Sequence, residues 1–420
     1  MASSSPDHLI IGGGVIGVSA AYFLARAGAS VTLVDKRGVA AGSSWGNAGL
    51  IAPNHSVPIP GPGVLTQGLK WLFDVESPLY IKPRLDPELI RWLWRFRRFC
   101  NEAALDRAIP RLRDMQRASL ALFRQIIAEE AIACDFEEAG GIVAFRTEKG
   151  LEAGIAEAEH LARFGLKTTI LDADAVHDLE PALHPGVIGG VFQEEDAFLT
   201  PHKFVFGLAE AARRHGAVIL DDAEVLGFET AGRRILRVRT RRGDFQPKRV
   251  ALAAGAWSTP LARMLDIDIP MQPAKGYAIT LPLPEPSPRH YIIFGERNAV
   301  ATPMGGDLRF AGTLELSGLH EGINLRRVNA IRKAAREYLI LPDDLPKGHV
   351  WQGLRPVPPD GLPYIGRSPQ IGNLVIATGH AMLGLSMGPI TGQLVAQLLQ
   401  DQPTSLPLDG FEPDRFDLKK

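Results

Sequence analysis

The chain has 420 residues, 45% hydrophobic and 22% charged, and its 46 Lys and Arg against 47 Asp and Glu leave a net charge of −1. That balance excludes a disordered polymer, which combines low hydrophobicity with high net charge. It also offers no basic field to neutralise nucleic-acid phosphates, so no nucleic-acid partner is expected. Two cysteines, Cys100 and Cys134, are too few for a disulfide framework or a cysteine-rich metal site, and they read as small buried apolar residues.

The length predicts two or three domains with a substantial core. No apolar run approaches the ~18 residues of a membrane-crossing helix. Met1 to His8 is polar, with no basic stretch leading into an apolar one, so a signal peptide is not expected and a cytoplasmic location is.

Leu9-Ile10-Ile11 is a short apolar run that ends in Gly12-Gly13-Gly14-Val15-Ile16-Gly17. A helical pattern over Ser19 to Ala25 follows, with Gly28 as its stop, and then Val31-Thr32-Leu33-Val34, β-branched and ending at Asp35. Strand, glycine turn, helix and strand within about thirty residues form a minimal βαβ unit. Residues 54–63 are rich in proline and glycine and read as a loop leaving this unit.

Residues 65–133 read as helical, with aromatic side chains at Trp71, Phe73, Trp92, Trp94, Phe96 and Phe99. Strands are predicted at 141–146 and 187–192, with a helix over 151–164. Residues 204–215 read as a helix and 217–220 as a strand, followed by a meander over 225–229, 235–240 and 244–247 and an apolar strand at 249–254. Residues 271–282 and 291–312 alternate like sheet, and 324–338 is an amphipathic helix. The strand Leu374 to Ala377 runs into Thr378-Gly379-His380, and a helix over 392–400 follows.

The expected fold is α/β: a Rossmann-like, dinucleotide-binding domain from residues 1–60, 197–268 and 350–420. Into it is inserted an α+β substrate domain on a mostly antiparallel sheet, from 61–196 and 269–349.

Gly12, Gly14 and Gly17 fit G-x-G-x-x-G between a strand and a helix. Gly12 allows the tight turn, Gly14 lets backbone approach a pyrophosphate, and Gly17 lets helix and strand pack closely while the helix N-terminus faces the anion. Asp35 lies 21 residues beyond Gly14, where a carboxylate accepts ribose hydroxyls and repels a 2′-phosphate. The loop Gly42-Ser43-Ser44-Trp45-Gly46-Asn47-Ala48-Gly49-Leu50 admits two readings: a track along a long cofactor, or an ordinary glycine-rich connection. No H-E-x-x-H or paired C-x-x-C is present, so no metal is expected. His202 and His215, on one surface helix, read as structural.

These motifs, with Ala254-Gly255-Ala256-Trp257, Gly353-Leu354-Arg355-Pro356 and Asp360-Gly361-Leu362-Pro363-Tyr364-Ile365-Gly366, resemble the FAD-dependent D-amino acid oxidase and dehydrogenase superfamily over nearly the whole chain. Lys275-Gly276-Tyr277, Thr378-Gly379-His380, Leu383-Gly384 and Gly392 resemble most the D-amino acid dehydrogenase branch, small-subunit type.

The resemblance implies an FAD domain of the glutathione-reductase-like kind. It implies FAD on Gly12, Gly13, Gly14, Val15, Ile16, Gly17, Asp35 and Lys36, on Ser43 and Ser44, and with its ring along Asn47, Ala48, Gly49 and Leu50. Val225 and Trp257 would flank the adenine end, Ala254 and Gly255 the pyrophosphate, and Gly379, Gly384, Leu385 and Ser386 the flavin N1–C2=O edge. No cysteine lies near Arg355, where certain sarcosine oxidases attach flavin, so non-covalent FAD is expected.

Arg355 is the implied carboxylate anchor for substrate, since a guanidinium grips a carboxylate bidentately; taken alone, the residue would better suit a salt bridge near a domain interface. Tyr277 admits a bond to substrate or simple packing in a sheet, and His380 admits flavin positioning or a satisfied turn. Met382, where some glycine oxidases carry an arginine, would form an apolar pocket wall.

The implied reaction is oxidative deamination of a D-amino acid to a 2-oxo acid and ammonia, with hydride passing from Cα to flavin N5. The amine would lose its proton to solvent, and a quinone or dye-type acceptor would take the electrons. The alternatives are an O2-using oxidase of glycine, sarcosine or a D-proline type, and a non-catalytic nucleotide-binding module. The aromatic and basic run Trp92 to Phe99 reads as an amphipathic helix packed on the substrate domain or as a peripheral membrane contact.

Overall fold

A computed structural model describes residues 5–65, 79–81 and 86–417. Trp71 and Phe73, and the part of the expected helical region around them, lie outside the described residues.

The first sheet has six strands in the order Tyr364–Arg367, Leu374–Thr378, Arg249–Leu252, His8–Ile11, Val31–Val34 and Val218–Leu220. All neighbours are parallel except the first pair. The central strands are buried along their whole length because both faces are covered. One face packs on helices Val15–Arg26, Pro201–Arg214 and Gly388–Leu399. The other packs under the predicted meander, seen as Val225–Ala231, Arg234–Thr240 and Gly243–Phe245.

Small residues set the helix spacing. A Cβ on Gly17 would lie 1.9 Å from the Gly12 carbonyl oxygen, and one on Gly392 would lie 2.3 Å from Ser19 Cβ. The first helix therefore touches both the strand beneath it and the last helix at backbone distance.

The second sheet runs His349–Val357, Gln272–Pro282, Asp307–Leu316, Ala299–Met304, Tyr291–Phe294, Gly141–Phe145, Gly189–Gln193 and Thr169–Leu171, with Leu79–Ile81 parallel to Asp307–Leu316. The two-residue period of a strand sorts its side chains. Tyr277, Ile279, Phe310, Ile292 and Phe294 face back onto helix Leu325–Tyr338. The pairs Ala274 with Arg355, Gly276 with Gly353, Ala278 with Trp351 and with Ala311, and Ala311 with Val300 occupy the opposite, front face. The front is mostly Gly and Ala, which leaves room above the sheet.

Several expectations are corrected. Leu79–Ile81 is a strand, not helix, because it completes pairing along Asp307–Leu316. The boundary at residue 350 falls inside strand His349–Val357, which pairs along Gln272–Pro282 and belongs to the second sheet. Helix Glu102–Glu130 packs its Leu120, Phe123 and Ile126 into the core of the first sheet's helical layer. The last helix begins at Gly388, so Gly384-Leu385-Ser386 is a turn ahead of it.

The loop leaving the first unit is pinned from both sides. Asn54 donates its backbone N–H and its Nδ2 to Asp196 Oδ1, both at 3.0 Å, and the Tyr291 hydroxyl donates to Asp196 Oδ2 at 2.5 Å. On the other side Gln116 Nε2 donates to Ser56 Oγ at 2.9 Å, Ser386 Oγ donates to Gln116 Oε1 at 2.8 Å, and Ala52 N–H donates to Ser386 Oγ at 3.1 Å. Asp196 is fully buried. Desolvation pushes its carboxyl up to about 7, against the three donors that favour the charged form.

Two outcomes follow. Gly392→Val should cost about 1–3 kcal/mol through overpacking at the helix crossing, seen as a lower melting temperature. Because the folded pKa of Asp196 is raised from 3.8, its contribution is complete below about pH 4 and is lost as pH rises toward 7. Asp196→Asn should therefore melt progressively higher relative to the parent as pH is raised from about 4 to about 8; a difference constant with pH would refute the assignment.

Candidate functional site

A cavity of about 710 Å³ lies between the carboxyl ends of the first sheet's strands and the front of the second sheet. Ligands of open α/β sheets bind at this end of the strands.

Gly12, at φ 119°, turns the chain so closely under Ala253 that a Cβ would meet its carbonyl at 2.4 Å. Gly14 caps helix Val15–Arg26, whose first turn carries no acidic residue, so the helix dipole faces the cavity unopposed. Val15 N–H donates to Ser44 Oγ at 3.0 Å, which draws the 42–50 loop over this helix end. Asp35 accepts from Gly13 N–H at 2.7 Å and from the N–H groups of Arg37 and Gly38 at 2.8 and 2.9 Å. The carboxylate thus braces the glycine turn as well as bordering the cavity. Beside it Lys36 Nζ lies 3.6 Å over the Trp257 ring, with Val225 completing that end.

Ser43, Asn47, Ala48, Leu50, Ala254, Gly255, Gly379, Gly384, Leu385 and Ser386 border the middle and far end, as do Ile16, His380, Met382 and Arg355. Gly13, Gly17 and Gly49 do not reach the cavity. Gly13 anchors Asp35, Gly17 packs under Gly12, and Gly49 packs against the Leu199 carbonyl, so their part is to set backbone geometry. His380 is buried, with its Nε2 3.0 Å from Thr391 Oγ1. Burial pushes its pKa down to about 3, so the ring is neutral through the physiological range.

Arg355 leans over Gly276, where a Cβ would sit 1.8 Å from the guanidinium. Its Nη1 donates to the Thr313 carbonyl at 2.9 Å. Thr313 has φ 67°, an unusual backbone state for a β-branched residue. It lies where the pairing slips between Lys275–Glu315 and Tyr277–Gly312, so a β-bulge turns this carbonyl toward Arg355. No carboxylate among the described residues pairs with Arg355, and burial pushes its pKa down to about 10. An unpaired, half-buried guanidinium bordering a cavity is suited to an anion.

Tyr277 borders the cavity, as a substrate contact would require, but its hydroxyl is turned elsewhere. Its side chain is on the reverse face, and its hydroxyl donates to Glu315 Oε2 at 2.9 Å. His202 stacks on Trp45 at 4.6 Å and His215 bonds Glu130 at 2.8 Å, both structural contacts. Among the described residues no group of His, Cys, Asp and Glu could hold a metal.

Sequence reasoning missed His55, Gln116 and Trp351, which border the cavity, and Arg309, which holds the 45–47 loop. A histidine in a proline-rich loop and an arginine inside a strand carried no motif. Only alternation within Asp307–Leu316 hinted that Arg309 shares a face with Ala311.

A family model described as FAD dependent oxidoreductase matches residues 7–398. A D-amino acid dehydrogenase of Vibrio atlanticus is 30% identical over 416 residues, 98% of this chain and 100% of that protein. One of Paramagnetospirillum magneticum is 33% identical over 417 residues, covering 97% of this chain and 98% of the relative. Among solved structures, glycine oxidase from Geobacillus kaustophilus superimposes with a TM-score of 0.80 at 23% identity, covering 98% of this chain and 99% of that one. L-proline dehydrogenase from P. horikoshii gives 0.75 at 21%, covering 99% and 98%. A glycine turn under a helix end, a long cavity zoned for a dinucleotide and a match along almost the whole chain together place this protein in the FAD-dependent oxidoreductase family.

Proposed function

We infer that this protein is an FAD-dependent D-amino acid dehydrogenase, which converts a D-amino acid to its 2-oxo acid and ammonia. One observation carries the reading: Arg355 is half-buried at the cavity wall without a carboxylate partner among the described residues. The residues also fit the cofactor. Gly12 and Gly17 let the turn close where a Cβ would strike the Ala253 and Gly12 carbonyls, and the start of helix Val15–Arg26, with no acidic residue in its first turn, suits a diphosphate. The segments carrying these residues, with 197–268 and the chain beyond the Arg355 strand, form the proposed FAD-binding domain.

Bound FAD supplies the hydride acceptor. The protein's own part begins with Arg355, which takes the substrate carboxylate bidentately and so fixes the orientation of Cα–H. The guanidinium is held by Thr313 and packed on Gly276, so little side-chain freedom is lost on binding. Among the described residues the cavity's carboxylates, Asp35 and Glu224, border its nucleotide end. His380 is neutral and bonded to Thr391, and the Tyr277 hydroxyl faces away. Burial lowers the pKa of His55, the other imidazole at the cavity wall, so the substrate ammonium gives its proton to solvent or to this ring before hydride departs, and water hydrolyses the imino acid product.

We further propose that electrons leave to a quinone at a membrane surface. Helix Pro87–Arg97 buries Leu89, Trp92 and Phe96 against the second sheet, as the packed-helix reading expects. Its outer face exposes Ile90 at 60% and Trp94 at 54%, with Arg98 3.6 Å over the Trp94 ring. Apolar side chains ringed by arginines suit an anionic bilayer. Among the described residues no helix is long and apolar enough to cross one.

Anaerobic addition of D-amino acids should bleach the flavin absorbance of the purified protein, and L-enantiomers should not. Arg355→Met should keep FAD while its KM rises at least about tenfold, the loss of one charge-assisted contact; loss of FAD instead would make Arg355 structural. Vesicles of anionic phospholipid should sediment the protein and neutral ones should not. Trp94→Ala should weaken that binding, and equal binding to both vesicles would end the membrane proposal.

A further inference from the structure

Arg309 is a second cation on the front face of the second sheet, and unlike Arg355 it is fully buried. It is 4% exposed, and no carboxylate among the described residues lies within ion-pair distance. Burial pushes its pKa down to about 10. Its Nε donates to Thr280 Oγ1 at 2.9 Å, and its Nη1 donates to the carbonyls of Trp45 at 3.1 Å and Asn47 at 2.9 Å. Those carbonyls belong to the other structural unit, so the contact ties the cofactor-side loop to the substrate-side sheet.

Peptide geometry gives this clamp a consequence. In a trans peptide the C=O and the following N–H lie in one plane and point in opposite directions. A guanidinium that draws in the Trp45 and Asn47 oxygens turns the N–H groups of Gly46 and Ala48 away from itself. Gly46, Asn47 and Ala48 all border the cavity. Neither the Gly46 nor the Ala48 N–H donates a hydrogen bond among the described residues, whereas Trp45 N–H and Gly49 N–H are engaged, with Gly42 O and Asn47 Oδ1. A cation bonded to the carbonyl side also polarises each peptide and strengthens the donor on its far side.

We propose that Arg309 is a positioning residue for the flavin reaction: it orients and polarises two free backbone donors of the 46–48 loop toward the FAD ring. The clamp favours the cofactor after hydride uptake, because hydride adds negative charge and preorganised donors stabilise charge where it develops. The proposal rests on FAD in the cavity, not on which amine is oxidised.

The test is the two-electron midpoint potential and dissociation constant of FAD in the holoenzyme. Arg309→Met should weaken FAD at least tenfold. A further tenfold loss for the reduced over the oxidised cofactor would appear as a potential lower by about 30 mV. Arg309→Lys, which keeps the charge, should restore part of that shift. Thr280→Val removes only the third anchor and should move the potential the same way by less.

An Arg309→Met protein with unchanged potential and FAD affinity overturns the proposal. If that variant does not fold, an unchanged potential in Thr280→Val overturns it. A parent flavin that no D-amino acid bleaches would end the substrate reading and leave both measurements standing.

Discussion

The architecture turns on positive charge held away from water with no negative charge to meet it. Removing a guanidinium from solvent costs several kcal/mol even after relaxation. The front face of the second sheet carries that cost at buried Arg309 and part of it at half-buried Arg355. At Arg309 carbonyl oxygens from the opposite unit offset it. At Arg355 one carbonyl does so, leaving the remaining donors for a ligand. The difference between the two sites is the difference between a clamp and the proposed carboxylate anchor.

Around these charges the sheet is made of residues that get out of the way. Gly276 and Gly353 leave space where Arg355 and Trp351 lie flat, and Ala278 and Ala311 keep the floor low. The reverse face is large and apolar and packs on one amphipathic helix. A single two-residue alternation thus gives rigidity on one side and a cavity on the other. The bulge at Thr313 breaks that alternation where the Arg355 guanidinium needs an acceptor.

The 42–56 chain joins the two units functionally. Ser44 ties it to the first helix, Ser43 Oγ donates to the Leu354 carbonyl at 2.5 Å, and Arg309 holds its middle. Asp196, Gln116 and Ser386 hold its exit at Ala52–Ser56. A loop with this many long-range polar anchors is preorganised for a ligand on both of its sides.

Residue order alone was sufficient for the dinucleotide end. A strand, three spaced glycines, a helix and an acidic residue are local in the chain, and the physics linking them is local too. The family resemblance extended this to FAD and to Arg355, whose segment is also contiguous. What lay beyond reach was decided by pairing between distant strands. Which face a strand turns inward depends on its neighbours, so Tyr277 could be placed in the sheet but not on its reverse side. The strand carrying Arg355 joined the second sheet through pairing with residues some eighty positions earlier. Arg309 and His55 gained their places only when chain segments hundreds of residues apart, or the two walls of a cavity, met in space. Long-range registry and uncompensated burial are properties of the folded assembly, and no spacing within the chain encodes them legibly.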